Sequence, residues 1–171
     1  VLMVTKEQMK RSLKRIPDKK DKRDYRLSIA VPAVLPASSS LAKYMTHIED
    51  QTVLGSCTAQ TGTSTVECQR KYNKLAEVDL SALFHYYTER MILGTENEDS
   101  GAEMRNICEA GKKYGFCPDS MWPYITSKLT TKPPKKCFTE ALKIRVGRYE
   151  RLLTAAEIKT CIAKGRDCAM V

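Results

Sequence analysis

Apolar positions recur at helical spacing along much of this chain. Leu80, Leu83, Phe84, Tyr87 and Met91 share one helix face; the segment opens near Asp79 or Ser81 and Gly94 closes it. Met104, Ile107, Cys108, Gly111 and Tyr114 line one face of another helix. Ser100 and Glu103 have capping-box spacing at its start, Lys112 and Lys113 fall in its last turn, and Gly115 lies just beyond. Upstream, Cys57 to Val66 carries little charge and predicts a helix reaching about Tyr72. A short helix is expected over residues 138–143. A second capping box, Thr154 and Glu157, opens a helix that ends at Gly165.

The remaining stretches read as loops or strands. Residues 1–28 form a basic N-terminal arm: a short helix with a weak stripe of Leu2, Met9, Leu13 and Ile16, stopped by Pro17, then extended chain. Pro32, Pro36 and the serines 38–40 make residues 29–43 a loop. Cys117 to Tyr124, with Pro118, Trp122 and Pro123, is an ordered irregular loop, and Lys132 to Lys135 an exposed turn. Ile144 to Tyr149 reads as a strand, and Cys168 to Val171 as the start of another. The chain thus divides into the arm, 1–28, and one mostly helical domain, 29–171, with β character only near its end.

Composition narrows the classes. The chain has 171 residues, 42% hydrophobic and 29% charged, enough for one domain with a real core. No apolar run approaches the roughly 20 residues of a membrane span. The net charge of +9 is concentrated in the arm, in Lys10, Arg11, Lys14, Arg15, Lys19, Lys20, Lys22 and Arg23. Such a run suits a solvated tether, and the lack of interleaved aromatic residues argues against nucleic acid as a partner. There are seven cysteines, an odd number, and no C-x-x-C pair. With only His47 and His85 as imidazoles, no metal or other cofactor is expected. This cysteine usage points to a reducing compartment, cytoplasmic or virion-associated, rather than to secretion.

One cysteine has chemistry written around it. Gly55 and Ser56 form a turn, and Cys57 follows at the first position of an expected helix. Unpaired N–H groups and the positive end of the helix dipole favour a thiolate there. A thiolate is a nucleophile, and the amide of Gln51, six residues earlier, is a donor for an oxyanion formed beside it. The plainer alternative is a buried structural cysteine at a turn.

Several motifs together resemble the papain-like cysteine peptidases, C1-type, in their bacterial and viral branch. Gln51 to Cys57, with Leu54-Gly55-Ser56-Cys57, is similar to the family's glutamine and nucleophile signature. Ser100-Gly101-Ala102 resembles its substrate-lining segment, Lys113-Tyr114-Gly115 the helix end after it, and Trp122-Pro123-Tyr124 its aromatic loop. Ile16-Pro17-Asp18, Arg23-Asp24-Tyr25 and the run Leu80 to Arg90 extend the likeness from about residue 16 to the chain end.

The resemblance implies an α+β, papain-like fold, of which this chain holds mostly the α-helical left lobe. It also implies peptide-bond hydrolysis with Cys57 as nucleophile and Gln51 as oxyanion donor. Gly55, Ser100, Gly101 and Ala102 would contact a polypeptide substrate. Three departures stand out. Leu54 replaces the family's usual cysteine, so the disulfide made there is absent, and Thr58 replaces its tryptophan. The family's His and Asn follow the nucleophile by roughly 130–150 residues, beyond Val171. His47 and His85 do not fit the role by position, and His85 reads as a partly buried, satisfied helix residue. The β-barrel lobe with His and Asn is therefore expected on another segment or a partner chain, and this chain alone is expected to be inactive. The alternative is an inactive papain-fold module of a larger, even viral, assembly. Titration under denaturing conditions is expected to find at least five of the seven thiols free; fewer would mean a disulfide framework.

Overall fold

A computed structural model describes residues 16–19, 21, 25–27, 29–32, 34–166 and 168. The basic helix expected before Pro17 lies outside these residues, as does the strand expected to run on from Cys168. Among the described residues five α-helices follow in chain order: α1 (Cys57–Tyr72), α2 (Ala82–Leu93), α3 (Met104–Lys113), α4 (Lys135–Ala141) and α5 (Ala155–Ala163). Among the described residues there is no sheet, only isolated bridges such as Arg26 with Arg151 and Leu80 with Pro118. This is the helical lobe expected.

The helix ends follow local chemistry. The Ser81 side chain accepts from the Phe84 N–H to open α2, and Gly94 closes it in the left-handed region at φ +72°. Thr154 and Glu157 make the expected capping box of α5. At α3 the box differs from expectation. Glu103 is the cap residue and Asn106 its partner, the Asn106 Oδ1 accepting from the Glu103 N–H at 2.9 Å. Ser100 is drawn away instead: its hydroxyl donates to the Gly101 carbonyl and meets the Thr95 hydroxyl at 2.7 Å.

Helices α1, α2 and α3 pack on one another, and the most buried is α2 rather than α1. Every residue from Leu80 to Arg90 is buried. Leu83, Phe84, Tyr87 and Ile107 are core residues as expected, whereas Met104 and Cys108 are only half-buried. Helix α1 carries Thr58, Thr61, Thr63, Thr65 and Gly62, weak helix formers, so packing rather than propensity holds it. Gly62 is where it touches its neighbours. A Cβ there would lie 2.7 Å from Ile107 Cγ2 and 3.2 Å from the His85 ring.

Leu54, Leu83, Phe84, Cys117, Trp122, Cys137 and Ala141 form the main hydrophobic cluster, with Phe138 of α4 edge-on to Phe84 at 5.0 Å. This cluster seats the 117–124 loop against α2. Helix α4 starts at Lys135, earlier than expected, because Pro134 supplies a fixed φ just before its first turn. The strand expected over 144–149 does not form. The segment makes single contacts instead, Phe116 N–H to the Ile144 carbonyl and Val146 N–H to the Gly111 carbonyl, and has no strand beside it to build a ladder. No disulfide joins any of the seven cysteines.

Gly94 and Gly115 make a paired test. Both have positive φ, but a Cβ at Gly94 meets nothing within 4 Å, while one at Gly115 would lie 2.0 Å from the Ala141 carbonyl oxygen. Gly94→Ala is expected to cost about 1 kcal/mol, the left-handed penalty alone. Gly115→Ala adds displacement of a backbone carbonyl and is expected to cost at least about twice that. Urea denaturation of both variants measures the difference; equal losses would contradict the packing described at Gly115.

Candidate active site

Cys57 is the first residue of α1 and is partly exposed. The loop before it is tight. The Leu54 N–H donates to the Gln51 carbonyl at 3.1 Å. Thr52 sits at φ +50°, a strained value for a β-branched residue, and its N–H is held by the Asp50 carboxylate at 2.7 Å. One side chain spans this loop from end to end. The Tyr124 hydroxyl donates to the Gln51 carbonyl at 2.9 Å and lies 2.6 Å from Ser56 Oγ. Burial raises the Tyr124 pKa, so the hydroxyl keeps its proton. The Tyr124 proton goes to Gln51, so Ser56 donates to the Tyr124 oxygen, and its side chain makes no cap bond to α1.

The 97–103 loop lies against this one. The Gly55 N–H donates to both oxygens of Asp99, at 2.9 and 3.2 Å. Tyr86 of α2 donates its hydroxyl to Asp99 Oδ1 at 2.6 Å and accepts from the Gly101 N–H at 2.9 Å. Of the expected site residues, Gly55 and Gly101 are thus joined through two side chains, while Tyr124 ties Gln51 to Ser56. Ala102 is different. Its carbonyl accepts from the Ile16 N–H at 3.1 Å, so this part of the edge is paired with the chain's own arm. The arm is fixed just beyond, where Asp18 accepts from the Arg105 N–H at 3.0 Å.

Next to Cys57, Thr58 is fully buried and donates to Glu89 Oε2 at 2.7 Å. This is how the departure from tryptophan is accommodated. The other Glu89 oxygen is 3.6 Å from Nε2 of His85. Both residues are wholly buried, and His85 stacks on Phe116 at 4.3 Å. His85 is therefore more deeply buried than expected, and its ring nitrogens make no well-formed hydrogen bond, facing the Ile107 backbone and Glu89. Burial drives both groups neutral, pushing His85 down to about 3 and Glu89 up to about 8.

His47 lies in a separate group. Its Nε2 is 3.2 Å from Glu49 Oε1, and ligand atoms of His47, Glu49, Glu67 and Asp79 all lie within 4.8 Å of one another. These are the described residues that offer a cluster of metal-ligating atoms. Much of that capacity is engaged: Glu67 accepts from the Leu80 N–H at 2.8 Å and from the Thr46 hydroxyl. The group ties the 46–49 loop to α1 and to the entry of α2.

Sequence reading did not find Asp99, Tyr86, Tyr124 or Glu89 as supports of the site. Tyr124 and Tyr86 fall within recognised motifs, but nothing in their spacing shows which loop they hold. No helix among the described residues is long and apolar enough to cross a membrane.

Comparison with known proteins agrees with this architecture. No family model matches the chain. It is 32% identical over 142 residues to an uncharacterised peptidase C1-like protein of Acanthamoeba polyphaga mimivirus. That match takes in 79% of this chain and 46% of the viral protein, so the chain spans about half the length of the curated relative. The crystal structure of xylellain, a cysteine protease from Xylella fastidiosa, matches with a TM-score of 0.82 at 32% identity, over 88% of this chain and 62% of xylellain. Digestive procathepsin L 3 of Tenebrio molitor larval midgut matches with a TM-score of 0.62 at 18% identity, over 84% of this chain and 46% of that one, a likeness of fold. The chain is similar to papain-like, C1-type cysteine peptidases and has the fold of their N-terminal, helical part.

The Glu89 environment sets a pH dependence. The native state holds this proton up to about pH 8, whereas an unfolded carboxyl releases it near its ordinary value of 4.5. The folded pKa is raised, so the contribution is present at low pH and is lost as pH rises towards 8. His85 acts in the opposite sense, but only below its ordinary value of 6.5. Between pH 6.5 and 8 stability is expected to fall by on the order of 1 kcal/mol from Glu89. Glu89→Gln, which keeps an acceptor for Thr58 without a proton to lose, should remove that slope. Urea midpoints at the two pH values decide it; parallel losses in both proteins would contradict a protonated Glu89.

Proposed function

We propose that this chain is the nucleophile-bearing half of a cysteine peptidase. The observation that carries the reading is the partly exposed Cys57 at the first position of α1, with the Gln51 loop and the Gly101 edge tied together beside it. The Cys57 thiolate adds to a peptide carbonyl carbon, forming a C–S bond, and the carbonyl electrons move to oxygen. The Cys57 N–H and the Gln51 amide stabilise that oxyanion, each donor worth roughly 3 kcal/mol. Collapse breaks the C–N bond and expels the amine, which takes the proton that the base had removed from the thiol; water then hydrolyses the thioester, releasing the carboxylic acid and restoring the thiol.

That base lies outside these residues. His85 is sealed in the core, and His47 is held among carboxylates. We assign the His and Asn to a second lobe, on a continuing segment or a partner chain, and the substrate to polypeptides. Gly55, Ser100, Gly101 and Ala102 form the edge against which a substrate backbone runs, with the arm released from Ala102. We assign the basic arm, residues 1–28, the role of a tether for the 29–171 domain.

Two measurements test this. The 171-residue chain is assayed on a denatured protein beside a Cys57→Ala control. Both are then labelled with iodoacetamide at about pH 6, where an ordinary thiol with a pKa of about 8.5 reacts slowly. No Cys57-dependent proteolysis and labelling of Cys57 at least about tenfold faster than free cysteine are expected. Proteolysis by this chain alone would refute the external base, and labelling no faster than free cysteine would refute a poised nucleophile.

A further inference from the structure

The loop that carries Cys57 and the loop that carries Gly101 belong to different parts of the chain, and no disulfide joins them. Leu54 is buried and apolar, so it holds its loop down by packing alone. The polar link between the loops is made by two side chains. Asp99 takes the Gly55 N–H on one side and the Tyr86 hydroxyl on the other, sharing Oδ1 between them at 2.9 and 2.6 Å. Tyr86 then takes the Gly101 N–H at 2.9 Å. A backbone N–H two residues before the nucleophile is thus connected, through three hydrogen bonds, to the backbone N–H of the proposed substrate edge.

The linkage is stiff at every point. Tyr86 is fully buried on α2, and burial beside the Asp99 carboxylate raises its pKa well above the phenol range, so it remains a donor. One turn further along α2, Arg90 lays its guanidinium over the Tyr86 ring at 4.3 Å. Arg90 also donates to the carbonyls of Glu96 and Glu98, both at 2.9 Å, fixing the approach to Asp99. Gly101 sits at φ +74°, the conformation that turns its N–H towards Tyr86. Bonds to an ionised carboxylate are stronger than neutral ones, and a buried network of this kind fixes a single geometry.

We propose that Asp99 and Tyr86 are positioning residues that hold the Cys57 loop in register with the Gly101 edge, so that a peptide bound along the edge presents its carbonyl to the thiol. The inference rests on the peptidase reading above. A support needed only for folding would affect all reactions of Cys57 alike. A positioning pair affects reagents that use the edge, because a displacement of about 1 Å between bound group and nucleophile can lower a rate by about a hundredfold.

The experiment compares two reagents on the 171-residue chain. One is iodoacetamide, which needs only the thiol. The other is a peptidyl epoxysuccinate, whose peptide backbone lies along the edge while its epoxide alkylates the thiol. The ratio of their rate constants at Cys57 reads alignment independently of thiol reactivity. The native chain is expected to prefer the peptidyl reagent. Asp99→Ala and Tyr86→Phe are expected to lower the ratio at least about tenfold. Asp99→Asn keeps the Oδ1 acceptor and should stay within about threefold of the native ratio. Far-UV circular dichroism confirms folding; should Asp99→Ala fail to fold, the conservative Tyr86→Phe carries the test. A native-like ratio in folded Tyr86→Phe overturns the proposal. So does a native chain with fast iodoacetamide labelling but no peptidyl preference. Slow iodoacetamide labelling of native Cys57 overturns instead the peptidase reading beneath it.

Discussion

The structure depends on a helix that is buried on every side while carrying polar groups. From Leu80 to Arg90 no residue of α2 or its entry reaches solvent, yet Tyr86, Glu89 and Arg90 bring a phenol, a carboxyl and a guanidinium into that interior. Such groups are costly to bury without partners. Their partners come from elsewhere in the chain: Asp99 and Gly101 for Tyr86, Thr58 for Glu89, and the carbonyls of Glu96, Glu98 and Leu129 for Arg90. Satisfying α2 therefore places the start of α1 and the 95–101 loop. Polar burial here determines where segments lie as much as apolar burial does.

The two sides of α2 divide the task. One side, through Leu83 and Phe84, packs against Trp122, Cys137 and Ala141 and holds the 117–124 loop, from which Tyr124 reaches the Cys57 loop. The other, through His85 and Glu89, meets α1 and α3. The Cys57 loop is gripped at two places: by Tyr124 at Gln51 and Ser56, and by Asp99, itself bonded to Tyr86, at Gly55. A strained Thr52 persists between these anchors because the surroundings over-determine it.

Much of this was legible in the sequence where the signal is local. Gly94, the Thr154–Glu157 box and the helix from Cys57 follow from residues a few positions apart, and the position of Cys57 at the start of α1 with them. What was not legible depends on distant partners. A run such as Ile144 to Tyr149 has strand composition, but without a neighbouring strand it remains extended chain. Ser100 and Glu103 have capping-box spacing, yet Thr95 and the Gly101 turn compete for the serine, so Glu103 becomes the cap and Asn106 its partner. Asp99 meets Gly55 across 44 positions, and no periodicity announces such a pair. His85 reads as a partly buried helix residue, and nothing in the residues beside it in sequence shows that it is wholly buried against Phe116 and Glu89.

The close approach at Gly62 has a mechanical meaning. It lies five residues along α1 from Cys57, a distance of about 7.5 Å at helical rise. There the missing side chain lets α1 rest directly on Ile107 and the His85 ring. That point acts as a fulcrum with the thiol at the end of a short lever. Any added bulk beneath it would tilt the whole helix, swinging the sulfur relative to loops that are anchored independently. A single hydrogen atom in the core, more than a helical turn away, therefore sets where the Cys57 sulfur stands.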